Sequence, residues 1–194
     1  DDHLTYLDQD GRKTIEGMTF KFNYNHDSIP IKIRGALGRH YVYTVLAALA
    51  AGVAEGINPV AMALALSDYK TPPGRMRVIE GIKMSTIIDD TYNSSPAAVL
   101  AGLDNLAQIE ALRKIAVLGD MLELGEHTIE AHKTVGRSVA DKVSFLLVVG
   151  LRAKFIAEGA REAGMSNDKI FFFNDAVAAG KYLQNLIKEG DVIY

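Results

Sequence analysis

The sequence predicts an α/β fold in two parts: a unit with antiparallel strands to about residue 80, then a parallel sheet clothed by helices from about residue 81. Two observations carry this. Residues 1 to about 35 alternate apolar and polar side chains, the two-residue period of a half-buried strand. After the loop KTPPGRM, short runs that are apolar throughout succeed helical patterns in regular order, as in strands buried on both faces.

The elements follow in order. LTYLDQDGRKTIEGMTFKFNYN and IPIKIRG read as antiparallel strands, with Asp10-Gly11 as a hairpin signal. GRHYVYTVLAALAAGVAEG, bounded by Gly38 and Gly56, reads as a buried helix. Asn58 then Pro59, an N-cap and a first-turn proline, open a second helix through about Asp68. Two prolines and a glycine in Lys70–Met76 end helical structure there. Strands are then predicted at Ser85–Ile88, Lys114–Leu118, Ser144–Val149, Lys169–Phe173 and from Val192. Helices are predicted at Pro96–Gln108, Thr128–Ala140, Leu151–Ala163 and Asp175–Lys188. Right-handed crossovers make this a doubly wound, Rossmann-like domain.

Composition narrows the function. Hydrophobic residues make up 48% and charged residues 23% of 194, an ordinary globular balance. With no cysteine, disulfides, thiolate metal sites and a cysteine nucleophile are excluded. A net charge of -3 without a basic run speaks against nucleic acid as a partner, and the apolar runs are too short and interrupted for a membrane span. His3, His26 and His127 have no partner at metal-ligand spacing, so no metal site is expected. The chain opens at Asp1 and stops in the strand-like GDVIY, so it is expected to be an excerpt of a longer protein.

In an open parallel sheet, ligands bind beyond the carboxyl ends of the strands. Two such ends carry acids, DDTYNSSP and GDMLELGE. Asp89 and Asp90 are adjacent strand residues and point to opposite faces, so one is expected to anchor the turn while the other meets a ligand. Ser95 suits a cap on the helix from Pro96, leaving Asp90, Tyr92 and Asn93 to face outward. Plain turn chemistry accounts for either segment taken singly. No GxxxxGK[ST] and no GxGxxG after a strand is present, so a phosphate loop is not part of this sequence.

GRHYVYTVLAALAAG, TPPGRM, IIDDTYNSSP and IAVLGDMLELGEHTIEAH, in that order, resemble the Mur ligase family, most closely its D-alanyl-D-alanine-adding branch. The resemblance is strong from about Leu37 and weak before it. It implies that residues 1–80 are the C-terminal part of a central ATP-binding domain and residues 81–194 most of a C-terminal Rossmann-like ligase domain. It implies an ATP-dependent amide ligase of peptidoglycan precursor synthesis, cytoplasmic and monomeric, inactive as this excerpt. Its substrates would be UDP-N-acetylmuramoyl-tripeptide and D-alanyl-D-alanine, joined through an acyl phosphate. The cofactors implied are ATP and Mg2+, with the magnesium ligands outside this sequence.

The resemblance also assigns residues. Arg75 would reach the ATP phosphates and Asp90 would accept from the ribose hydroxyls, the two meeting ATP as the domains close. Tyr92 and Asn93 would flank the nucleotide, and His40 would lie near the adenine. Tyr41 and Thr44 stand where the family pattern has asparagines; Tyr41 could stack on the base and Thr44 donate one bond. Asp120 and Glu123 would bound the dipeptide pocket, a carboxylate there holding the ammonium group, and helix N-terminal acids serve the helix dipole equally well. His132 would orient an acid or meet substrate, with a core or surface histidine as the other reading. Two further functions stay open: a Mur-type or folylpolyglutamate-type ligase with another acceptor, or a Rossmann-like binding module without catalysis.

Overall fold

The computed structural model describes the backbone of residues 2–7 and 13–14 and the whole of residues 15–194. The Asp10-Gly11 hairpin signal lies outside the described residues. The chain divides into two compact units, Asp1–Ile79 and Glu80–Tyr194.

In the first unit, β1 (Asp2–Leu7), β2 (Lys13–Tyr24) and β3 (Asp27–Arg34) form an antiparallel sheet in that order. The alternating pattern works as expected: Ile31 and Ile33 are fully buried while Lys32 and Arg34 are exposed. Helices α1 (Arg39–Ala54) and α2 (Pro59–Ser67) follow. The Asn58 carboxamide oxygen accepts from the amides of Val60 and Ala61 at 2.8 and 3.3 Å, ahead of Pro59 at the first helical position. The expectation of a buried α1 is corrected. Within this chain it buries one stripe, Tyr41, Val45, Leu49 and Gly52, while Tyr43 is 73% exposed. An alanine-rich helix carries no polar face to mark its solvent side, so near-continuous apolarity does not distinguish one buried stripe from burial all round.

Strand β4 (Arg77–Glu80), which the sequence reading missed, spans the passage between units. In the second unit, β5 (Thr86–Asp89), β6 (Lys114–Gly119), β7 (Phe145–Val149), β8 (Ile170–Phe173) and β9 (Val192–Ile193) are joined by parallel ladders in the order β5-β9-β6-β7-β8. Their connections are α3 (Pro96–Gln108), α4 (Thr128–Val139), α5 (Lys154–Glu162) and α6 (Ala176–Leu186). The parallel α/β architecture expected for this half is present.

The strand order decides where the helices go. From β5 through β6 and β7 to β8 the chain moves one way across the sheet. From β8 to β9 it turns back. Right-handed crossovers therefore put α6 on the face opposite α3, α4 and α5. Alternation along β7 agrees. Leu147 belongs to a cluster with Ile115, Ile187 and Ile193 against which Leu183 and Leu186 of α6 pack. Leu146 and Val148, also fully buried, point to the other face.

Helices α4 and α5 touch through their backbones. A Cβ on Gly136 would sit 2.0 Å from the Ile156 carbonyl oxygen, and one on Gly159 would sit 2.1 Å from that of Lys133. Lys133 bonds Glu162 at 2.6 Å and Arg137 bonds the same carboxylate at 3.0 Å, but these exposed pairs add little. Steric fit of the glycines is the stronger term. Gly136→Ala and Gly159→Ala are each expected to cost about 2 kcal/mol, the usual scale for overpacking a tight contact. Urea denaturation checks this, and an unchanged midpoint would mean the helices do not meet there.

Candidate functional site

The end of β5 divides the labour between its two aspartates. Along the strand, Thr86 and Ile88 are buried, so Asp90 continues their side and Asp89 the other. Asp89 Oδ1 accepts from the Thr91 amide at 3.2 Å and the Thr91 hydroxyl at 2.7 Å, a local turn closed by the side chain. Ser95 Oγ caps α3 by accepting from the Ala98 amide at 3.3 Å. Asp89 thus holds the turn, and Asp90 faces a cavity.

That cavity, about 320 Å³, lies beyond the carboxyl ends of β5 and β6 and wholly within the second unit. Asp90, Tyr92 and Asn93 line one side and Gly119, Asp120 and Leu122 another, over a floor that includes Ile88, Val99, Leu118 and Tyr194. Acceptors converge on it above an apolar base, the make-up of a small-molecule site. Tyr92 is 71% exposed at its mouth. The Asn93 carboxamide oxygen accepts from the Ser94 amide at 2.9 Å.

Asp120 does two things. It lines the cavity, and its Oδ1 accepts from the amides of Arg152 and Ala153 at 2.9 and 2.7 Å, tying the β6 end to the turn that opens α5. Glu123, with φ of 62°, is exposed and is not among the residues lining this cavity.

The substrate reading of His132 is corrected. It is fully buried, its Nδ1 lies 2.6 Å from the Thr128 carbonyl oxygen, and its Nε2 accepts from the Met121 amide at 3.0 Å. Donation to a carbonyl at Nδ1 and acceptance at Nε2 define one tautomer, with both ring nitrogens used by backbone. His132 fastens the loop carrying Asp120 and Leu122 and does not line the cavity.

The other residues singled out lie in the first unit. Tyr41 is also corrected: it is 6% exposed, and its hydroxyl donates to the Arg75 carbonyl oxygen at 2.7 Å. A ring packed there, with His40 4.3 Å from it, is not presented for stacking on a base. Tyr41 secures the PPGRM loop, helped by the Leu37 amide on the Met76 carbonyl at 3.1 Å and the Thr71 hydroxyl on the Gly35 carbonyl at 3.0 Å. The Arg75 side chain itself is exposed, as is His40. Thr44 is exposed and its hydroxyl donates to the His40 carbonyl one turn back at 3.2 Å.

Among the described residues, no group of three or more His, Asp or Glu could hold a metal ion, and no helix is long and apolar enough to cross a membrane.

Comparison with known proteins decides the family. The family described as Mur ligase, glutamate ligase domain, matches residues 74–194, more than half of the chain. The chain belongs to the Mur ligase family. It is 32% identical over 98% of its length to the UDP-N-acetylmuramoyl-tripeptide–D-alanyl-D-alanine ligase of Bacillus subtilis, of which it covers 41%. Among solved structures it resembles a MurF from Acinetobacter baumannii, with a TM-score of 0.76 and 26% identity over 90% of this chain and 38% of that one. It is also similar to the MurF ligase of Thermotoga maritima in complex with ADP, with a TM-score of 0.73 and the same identity and coverage. The chain therefore spans about two fifths of the length of these Mur ligases.

The sequence reading missed Tyr194, which lies under the cavity between β5 and β6. It carried no signal, because β9 falls between those strands only once the sheet is assembled.

The His132 geometry makes a prediction. His132→Leu leaves the buried Met121 amide without an acceptor and should cost about 2–3 kcal/mol. His132→Gln, whose amide oxygen can stand in for Nε2, should recover part of that. Guanidinium unfolding of the pair checks it; equal losses would deny the hydrogen bond its role.

Proposed function

We propose that this chain is the C-terminal portion of an ATP-dependent amide ligase that joins D-alanyl-D-alanine to UDP-N-acetylmuramoyl-tripeptide in peptidoglycan precursor synthesis. Residues 1–80 would complete a central ATP-binding domain and residues 81–194 would form most of the ligase domain. One observation carries the reading: the cavity where the acid-bearing ends of β5 and β6 face each other over an apolar base. The names of the relatives and the ADP complex of a similar structure support it.

The chemistry follows from the residue types. The tripeptide carboxylate attacks the γ-phosphate of ATP, giving an acyl phosphate and ADP. The amine of the dipeptide adds to that carbonyl, loses a proton, and phosphate leaves with the C–O bond electrons. Catalysis of this kind is mostly positioning and charge stabilisation. Arg75 fits the phosphates, because a guanidinium carries a fixed charge and a fork of donors. Asp90 is acceptor-only when ionised and suits ribose hydroxyls. Asp120, at the opposite wall, suits an ammonium group. Magnesium would neutralise phosphate charge.

The test is phosphate release by the whole ligase given ATP, magnesium, UDP-N-acetylmuramoyl-tripeptide and a panel of amine acceptors. Release that requires D-alanyl-D-alanine establishes the reading. Release with another amino acid keeps the ligase and overturns the acceptor, and no release from folded protein overturns both. Arg75→Ala and Asp90→Ala should each lower kcat/KM for ATP by about ten-fold to a hundred-fold, the loss of one charge-assisted contact, with the thermal midpoint little changed. Wild-type values would remove these residues from the site.

A further inference from the structure

Tyr194 is held more firmly than a cavity residue needs for packing alone. Its amide donates to the Ile115 carbonyl at 2.9 Å and its carbonyl accepts from the Val117 amide at 2.7 Å, so β6 fixes its backbone on both sides. Its ring lies over Gly102 of α3, where a Cβ would come within 2.2 Å of the phenol oxygen and 2.4 Å of Cζ. The missing side chain at Gly102 leaves that space for the ring. The hydroxyl so placed donates to Asp90 Oδ2 at 3.3 Å, across 104 positions of sequence. This is long for an O–H···O bond, so its value lies in direction more than strength.

We infer that Tyr194 is a positioning residue for the nucleotide subsite, holding the Asp90 carboxylate in the orientation that receives a ribose hydroxyl. The inference rests on the proposed role of Asp90. Three features support it. The tyrosine and the aspartate both line the cavity, so the contact lies at the ligand's side of the carboxylate. The ring is fixed by backbone and helix and not by the aspartate, so the hydroxyl orients Asp90 and not the reverse. Burial first, and then the neighbouring Asp90 carboxylate, push the phenol's pKa up, so the group stays a protonated donor across the physiological range. A neutral donor steers a carboxylate without cancelling its charge, as a lysine in the same place would.

The test is steady-state kinetics of the whole ligase with ATP varied. Tyr194→Phe keeps the ring and removes the hydroxyl, and should raise KM for ATP about five-fold, the scale of one net hydrogen bond. Its kcat and its KM for D-alanyl-D-alanine should stay within about two-fold, a split that mere loss of packing would not give. Gly102→Ala, which pushes the same hydroxyl aside while leaving Tyr194 intact, should raise KM for ATP as well. In an Asp90→Ala background, Tyr194→Phe should have no further effect. An ordinary KM for ATP in Tyr194→Phe, where Asp90→Ala raises it, overturns the inference and leaves the role of Asp90 standing. An undiminished Tyr194→Phe effect in the Asp90→Ala background also overturns it, since the tyrosine then acts on its own. An ordinary KM for ATP in Asp90→Ala overturns the role of Asp90 and the inference together.

Discussion

The second unit depends on two short backbone ladders. Strand β9 pairs Val192 and Ile193 with Thr86 and Ile87 on one side and with Lys114 and Ile115 on the other. Neighbouring strands lie about 4.8 Å apart, so the interposed β9 sets β5 and β6 about 10 Å apart. That separation gives the cavity its width. With β5 and β6 as direct neighbours, the ends bearing Asp90 and Asp120 would close on each other, and no small molecule would fit between them.

The same order explains the division between faces. Turning back from the β8 edge to the middle of the sheet obliges α6 to cross on the far side. There Ile187, Leu183 and Leu186 close one core against Ile115, Leu147 and Ile193. The α3 face is left to support Tyr194 and Asp90. Each strand alternates residue by residue between that core and a second one on the other face, where Leu146 and Val148 lie buried.

Local signals in the sequence survived folding. Helix α3 runs between the expected residues, Pro96 and Gln108, because Ser95 and Pro96 determine its start by chemistry that needs no partner elsewhere. The turn role of an aspartate at the β5 end was legible for the same reason. What failed was whatever depended on distant neighbours. The ligand-facing readings of His132 and Tyr41 fall because the donor to one and the acceptor from the other are backbone groups 11 and 34 positions away. Periodicity says which face a side chain shares and not what meets it. Tyr194 was out of reach altogether, since strand order within a parallel sheet leaves no mark on composition or spacing.

Asp120 has one more consequence. Its Oδ1 holds the amides of Arg152 and Ala153, so the wall of the cavity and the entrance to α5 share a carboxylate. A cationic group drawn to that carboxylate competes with those two amides for the same electron density. Occupancy of the cavity therefore has a built-in indicator: the amide proton resonances of Arg152 and Ala153 should move upfield as their acceptor is shared, and their exchange with solvent should quicken, at positions on the turn opening α5 and outside the residues that line the cavity.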